Sequence, residues 1–402
     1  MSPKLLLNNW LATLAVLLLL LAGCSPSGVP ASAEIKIGSI NPLTGSLAAQ
    51  GTAVNEGIQY AVDEANAQGG VRGHKITLVA RDDESKPEKA IAAAEELSNV
   101  ENVVALTGGY VDNLVGPIAS TAEKDKVAYV ATASLDERLT QGSKRYFFRI
   151  SSLESYVASM TGIVLDVVKP SGLAILYSDS PGSTQLANRQ KERLDAAGVK
   201  TVVFESFASG LSDFAPLLAR INNSGVDMII LDGFFVDHVT IMRQIGEQKV
   251  HLKAFLGAFN MEFPTIIKQL GAASEGMLGT VSWEPGITLP GTEQASQAYI
   301  DGFTNKFKHA PVPLSMHGYA GARTILAAID AVLASGGQLT RDAVRDAIAR
   351  TDLTLPLEHI QFRPNGDPVN YPRVIIQIQN GKHVVVYPKE WSKGEFIPFA
   401  RQ

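Results

Sequence analysis

Two kinds of segment alternate along the chain after residue 34, and their hydrophobic patterns predict an α/β protein. Residues 34–40 form a short strand-like run, and residues 228–231 are apolar throughout, which predicts a strand buried on both faces. Residues 51–70 carry apolar side chains three and four positions apart, which predicts a helix with one buried face. Because strands and helices alternate, we expect parallel sheets covered by helices.

The alternation runs twice, which predicts two doubly wound lobes. It starts again at about residue 153 and continues to about residue 283. Residues 291–349 are mostly helical, and residues 357–387 read as paired strands with an Asn-Gly hairpin signal at Asn380. A chain of 402 residues is long enough for two such cores.

The first 23 residues have the pattern of a secretory signal peptide. Lys4 precedes an apolar, uncharged run that ends in "LAGC", and that tetrapeptide resembles the bacterial lipoprotein signal. Cys24 is the only Cys in the chain, which favours lipidation of Cys24 over an ordinary signal peptide with an incidental Cys. Residues 24–34 are small and polar, as in a flexible tether.

Composition and motifs exclude several function classes. A net charge of −5 gives no basic face for nucleic acid. The seven His and the single Cys show no metal-ligand spacing, and no phosphate-binding loop, dinucleotide fingerprint or nucleophile elbow occurs. Asp82, Asp83 and Glu84 could supply a carboxylate pair, but a solvated strand end is the better interpretation. We therefore expect no enzyme, no cofactor and no metal.

The loops that follow the predicted strands are the candidate site, because ligands of open parallel sheets bind beyond the carboxyl ends of the strands. In "TGGYVDN" the glycines allow close approach, Tyr110 offers a flat wall, and Asp112 or Asn113 can cap the next helix. Backbone amides at that helix start and near Ser134 could bind a carboxylate. The second-lobe loops are aromatic. Ordinary helix caps and core aromatics remain the alternative.

Several segments together resemble the Leu/Ile/Val-binding protein family, the solute receptors of ABC importers with the type I periplasmic-binding fold. The opening "IKIGSINPLTGSLAAQGTAVNEGIQYAVDEANAQGG" is close to the family pattern, and "RLTQGSKRYFFRI", "DFAPLLARI", "GAASEGML" and "HGYAGARTILAAIDA" also match. The resemblance covers nearly the whole chain after the tether.

The resemblance implies two lobes joined by a three-segment hinge. The crossings are expected near residues 148–152, 281–285 and 358–362. The first lobe would comprise residues 35–150 and 284–358, and the second lobe residues 151–283 and 359–402.

The resemblance also implies a ligand site between the lobes. An ammonium of the ligand could meet Asp112, Asp237 or Glu262, or the ligand could lack an ammonium, as an aromatic or short-chain carboxylate or an amide would. The expected ligand-binding residues are Tyr110, Asp112, Asn113, Ala133, Ser134, Leu135, Gly182, Phe234, Phe235 and Phe259.

The expected function is capture of a small amino acid-like solute by hinge closure, followed by delivery to an ABC permease in the inner membrane. The lipid on Cys24 would hold the receptor outside the cytoplasm, on the periplasmic or cell-surface side of the cytoplasmic membrane. One alternative is a lipoprotein of the same fold that regulates a signalling partner. Another is an exported hydrolase, for which Asp237 and His238 are the only candidate pair.

Overall fold

The computed structural model describes residues 34–142, 144–356, 359–369 and 373–399. The predicted signal peptide, Cys24 and all but the last residue of the predicted tether lie outside these residues. No helix within the described ranges is long and apolar enough to cross a membrane.

The first lobe is built on a five-stranded parallel sheet in the order β2-β1-β3-β4-β5. Its strands are β1 (Ile35–Asn41), β2 (Ile76–Asp82), β3 (Ala105–Tyr110), β4 (Ala128–Ala133) and β5 (Phe147–Arg149). Its helices are α1 (Ala48–Ala67), α2 (Pro87–Asn99), α3 (Asp112–Asp125), α9 (Glu293–Phe307), α10 (Pro313–Ala334) and α11 (Arg341–Ala349).

Two apolar layers cover the two faces of this sheet. One layer joins strand residues such as Ile37 to α1 and α10, and the other joins residues such as Leu106 to α2 and α3. Helices α1 and α10 pack with backbones nearly in contact, because a Cβ on Gly57 would lie 1.8 Å from the Ser315 carbonyl oxygen. The interior of the first lobe therefore depends on a helix that the chain supplies after residue 312.

The second lobe is built on a seven-stranded sheet in the order β14-β13-β10-β9-β8-β6-β7. The parallel strands are β6 (Leu173–Ser178), β7 (Thr201–Phe207), β8 (Met228–Asp232), β9 (Ala254–Gly257) and β10 (Leu278–Val281), and β13 (Val374–Gln379) and β14 (Lys382–Tyr387) are antiparallel. The helices are α4 (Leu153–Ile163), α5 (Pro181–Ala196), α6 (Ala215–Asn222), α7 (Phe235–Glu247) and α8 (Thr265–Leu270). The predicted α/β class with two doubly wound lobes is confirmed.

The third crossing lies later in the chain than the sequence predicts. β11 (Asp352–Thr354) pairs with β12 (His359–Gln361), and Ile360 is buried in the first-lobe core. The Arg149 amide donates to the Gly366 carbonyl oxygen, and the Arg149 guanidinium pairs with Asp367 at 2.6 Å. Assignment of the chain from residue 359 to the second lobe is therefore wrong for residues 359–367, because these contacts attach them to the first lobe.

Candidate functional site

A cavity lies between the carboxyl ends of the two parallel sheets, where ligands of such sheets bind. First-lobe residues that line it are Tyr110, Val111, Asp112, Ala133, Ser134, Leu135, Pro313, Leu314 and His317, followed by Ser151 at the crossing. Second-lobe residues that line it are Tyr156, Ser180, Gly182, Ser183, Phe234, Phe259, Asn260, Glu262, Ser282 and Arg373.

Eight of the ten expected ligand-binding residues line this cavity. Asn113 does not, since its side chain is exposed on α3. Phe235 does not either, because it packs against the core beneath α7 while its neighbour Phe234 faces the cavity. Position after a strand therefore predicts which loops line the cavity, but not which of two adjacent side chains points inward.

Asp112 bridges the two first-lobe loops. Its Oδ1 accepts hydrogen bonds from the Ser134 hydroxyl at 2.7 Å and from the Leu135 and Asp136 amides, both at 2.9 Å. The expectation that amides near Ser134 are free for a ligand carboxylate is therefore wrong for Leu135 and Asp136. The protein's own carboxylate already occupies that position.

The lobes touch each other around the cavity. The Asn260 Nδ2 amide donates to the Tyr110 hydroxyl at 2.9 Å. At the rim, Gln185 accepts from the Glu137 amide at 2.9 Å and donates to Asp136 Oδ1 at 2.7 Å. A Cβ on Gly182 would lie 2.3 Å from Asp112 Oδ2, so this close approach requires glycine. These contacts hold the two lobes in a closed arrangement.

Aromatic rings form one wall of the cavity. Phe234 stacks on Phe259 with ring centroids 5.3 Å apart, and Phe259 meets Tyr156 edge-on at 5.5 Å. The Arg373 guanidinium carbon lies 3.7 Å from the centre of the Tyr156 ring, within cation–π range. The apolar wall therefore ends at a positive charge.

Two charged side chains of the second lobe are buried at the cavity. Arg373 is 7% exposed and Glu262 is 8% exposed. Burial raises the pKa of Glu262 to about 7, although the charges of Arg373 and His383 act in the opposite direction. Glu262 is one of the three carboxylates that the sequence suggested for a ligand ammonium, and the structure places it at the cavity.

Asp237 and His238 do not form a catalytic pair at the cavity. The Asp237 carboxylate accepts from the Phe234 amide at 2.8 Å and the Gly210 amide at 2.9 Å, so it caps α7. His238 contacts the Phe259 carbonyl oxygen through Nε2 at 2.8 Å, and burial lowers the pKa of His238 to about 4. Neither residue lines the cavity.

Asp82, Asp83 and Glu84 lie away from the cavity, at the end of β2. Asp82 binds the Leu43 and Thr44 amides, but Asp83 is fully buried. A solvated strand end is therefore the wrong description for Asp83.

Across the described ranges, no group of three or more His, Cys, Asp or Glu could hold a metal ion.

Sequence reasoning missed several cavity residues because they do not follow the parallel strands of the sheets. Tyr156 lies on α4, His317 on α10, and Arg373 just before the antiparallel β13. A lone Arg immediately before the apolar run of β13 was the one signal available for Arg373.

Comparison with known proteins agrees with this geometry. The family described as periplasmic binding proteins matches residues 34–382. The chain belongs to this periplasmic binding protein family. A curated relative, Leu/Ile/Val-binding protein homolog 2 of Brucella abortus, is 26% identical over 364 residues, which cover 90% of this chain and 92% of the relative. The resemblance to Leu/Ile/Val-binding proteins is thereby confirmed.

Solved structures show that this periplasmic binding protein shares its fold with transporter receptors. The substrate-binding protein LivJ of Streptococcus pneumoniae, in complex with isoleucine, has a TM-score of 0.79 at 22% identity, with 89% of this chain and 100% of that chain covered. A solute-binding protein of R. palustris, in complex with benzoate, has a TM-score of 0.75 at 18% identity, with coverages of 88% and 95%.

Proposed function

We propose that this protein is the extracytoplasmic solute-binding lipoprotein of an ABC importer. Its ligand is a small amino acid-like molecule: a branched-chain or other hydrophobic amino acid, or a related aromatic or aliphatic carboxylate or amide. The observation that carries the proposal is the cavity between the sheets, whose lining comes from both lobes and joins an aromatic wall to buried charges. Isoleucine and benzoate, the ligands of two proteins of this fold, also join an apolar body to a carboxylate.

Capture proceeds by hinge closure about the three crossings. The ligand enters between parted lobes, and the contacts of Gln185 and Asn260 form as the second lobe swings onto the first. The closed form then docks on the permease. Uptake of the bound solute should fail in a strain that lacks this protein, whereas a sensory lipoprotein would leave uptake intact.

A thermal-shift screen tests the binding function. Branched-chain and aromatic amino acids, benzoate, short-chain carboxylates and their amides are added to the purified protein, and at least one should raise the melting temperature. A ligand at 100 times its Kd stabilises the folded state by about 2.7 kcal/mol. A flat screen, together with no small molecule released on denaturation, would reject the proposal.

Replacing Cys24 with Ser tests the anchor. The protein without a substitution should be acylated, so it should partition into the detergent phase and sediment with membranes. The Cys24→Ser variant cannot be acylated and should become soluble once exported. Ser25→Ala is the matched control and should stay with membranes. Equal partitioning of Cys24→Ser and the unchanged protein would contradict lipidation.

A further inference from the structure

Arg373 is a buried cation with no carboxylate at ion-pair distance among the described residues, although Glu262 in the same cavity feels its charge. Its Nε has no hydrogen-bond acceptor among these residues. Burial of an unpaired charge costs free energy of folding. Arg cannot lower this cost by losing its proton, because the guanidinium stays protonated in proteins. Arg373 therefore has no carboxylate bound directly to it and can take one from a ligand.

The side chain of Arg373 lies where a ligand in the cavity can reach it. One face of the guanidinium is covered by Tyr156, and the side chain lines the cavity. Guanidinium N–H groups lie in the plane of the group and match the two oxygens of a carboxylate. The partner must therefore arrive through the cavity, beside the Tyr156 ring.

In the first lobe, the Leu135 and Asp136 amides are not free for a ligand anion. Asp112 already accepts from Ser134, Leu135 and Asp136, so a second carboxylate there would lose these donors and face a like charge. Among the described residues that line the cavity, Arg373 is the only Arg or Lys.

We propose that Arg373 binds the carboxylate of a ligand whose apolar body lies against Phe234 and Phe259. This inference rests on the proposed function and narrows it: the ligand is a monocarboxylate, and a neutral amide is excluded as the preferred ligand. Glu262 lies in the same cavity, and its carboxylate accepts the ammonium when the ligand is an amino acid.

Acid–amide pairs test this assignment. L-Isoleucine, L-isoleucinamide, benzoate and benzamide are titrated into the unchanged protein and into Arg373→Gln by calorimetry, together with any acid that the thermal-shift screen finds and its amide. The unchanged protein should prefer an acid over its amide. Arg373→Gln should weaken acid binding by on the order of 30-fold or more and abolish that preference.

Three further variants serve as controls for this interpretation. Arg220→Gln removes an exposed arginine of the same lobe, which pairs with Glu205, and should bind acids normally. Arg373→Lys keeps the positive charge but cannot donate to both carboxylate oxygens as the planar guanidinium does. It should lose an intermediate amount of affinity for acids, and it can be measured even if Arg373→Gln fails to fold. Glu262→Gln should weaken isoleucine but not benzoate, which distinguishes an amino acid from a simple acid.

The outcomes separate the two proposals. If a folded Arg373→Gln variant keeps the acid preference, or if the unchanged protein binds an amide as well as its acid, the role of Arg373 is overturned and solute binding stands. If no solute binds the unchanged protein, the binding function falls and this inference falls with it.

Discussion

Two carboxylates of the first lobe differ in how many hydrogen-bond donors they receive. Asp112 receives three hydrogen-bond donors from one loop. Asp83 is fully buried and accepts from the Ser85 amide at 2.9 Å through Oδ1, while its Oδ2 has no hydrogen-bond partner among the described residues. Burial therefore raises the pKa of Asp83 to about 6.

Asp83 should make stability depend on pH between about 4 and 6. The folded state holds the Asp83 proton more tightly than the unfolded chain, whose pKa is near 3.8, so the free energy of unfolding falls as the pH rises through this window. Asp83→Asn cannot ionise, so it removes this pH-dependent loss of stability. It keeps a side-chain oxygen that can accept from the Ser85 amide. We expect a gain of about 1–2 kcal/mol at pH 7.5 and little change at pH 4, measured by chemical denaturation.

Asp213→Asn is the matched control, because the exposed Asp213 accepts from the Ala215 amide at 2.8 Å in the same local arrangement. It should leave the pH profile unchanged. A gain for Asp83→Asn that is equal at pH 4 and pH 7.5 would show that ionisation of Asp83 does not cause the effect.

At the level of elements, hydrophobic periodicity is a reliable guide where each element packs against its neighbours in sequence. The strands of both lobes and helices such as α1 follow from it. It fails for residues 359–367, because a three-residue strand such as β12 carries too few residues to show a period, and its partner β11 is equally short. Periodicity consequently predicts the third crossing too early in the chain.

Helices α1 and α10 should be sensitive to one added methyl group. Gly57→Ala would put a Cβ 1.8 Å from the Ser315 carbonyl oxygen, so the helices must separate. We expect a loss of about 2–3 kcal/mol in the free energy of unfolding. The measurement is chemical denaturation of the purified variant.

Gly116→Ala is the control for helix propensity. Gly116 lies within α3, and a Cβ there would be 3.7 Å from Leu139 Cδ2, which is ordinary contact. This variant should be neutral or more stable by up to about 1 kcal/mol. Equal stability of the two variants would contradict the close packing of α1 and α10.

At the level of the whole molecule, the site exists only where the lobes meet, which explains what sequence could not predict. Sequence predicts that the loops after the strands lie together, because the carboxyl ends of parallel strands meet at one edge of the sheet. The pairing of Tyr110 with Asn260 and the stacking of Arg373 on Tyr156 join residues that are 150 and 217 positions apart. No local pattern encodes such pairs.

Closure should depend on Gln185. Gln185→Ala removes two hydrogen bonds between the lobes, which should speed release of a bound acid about tenfold without a loss of fold. Stopped-flow release of an acid identified in the screen measures this. Asn188→Ala is the control: Asn188 is exposed on the same helix, and among the described residues its side chain bonds to the Thr184 carbonyl oxygen alone, so this variant should release the acid at the unchanged rate. Equal release rates for the two variants would show that the Gln185 hydrogen bonds do not hold the lobes closed.

The late arrival of α10 and β13 has a consequence for biogenesis. The first lobe needs α10 at its centre, and the edge of β10 stays open until β13 pairs with it. A nascent polypeptide that emerges amino end first cannot complete the first-lobe interior before α10 ends at residue 334, nor the second-lobe sheet before β13 ends at residue 379. The chain therefore stays incompletely folded for most of its synthesis, which suits passage through a narrow translocation channel.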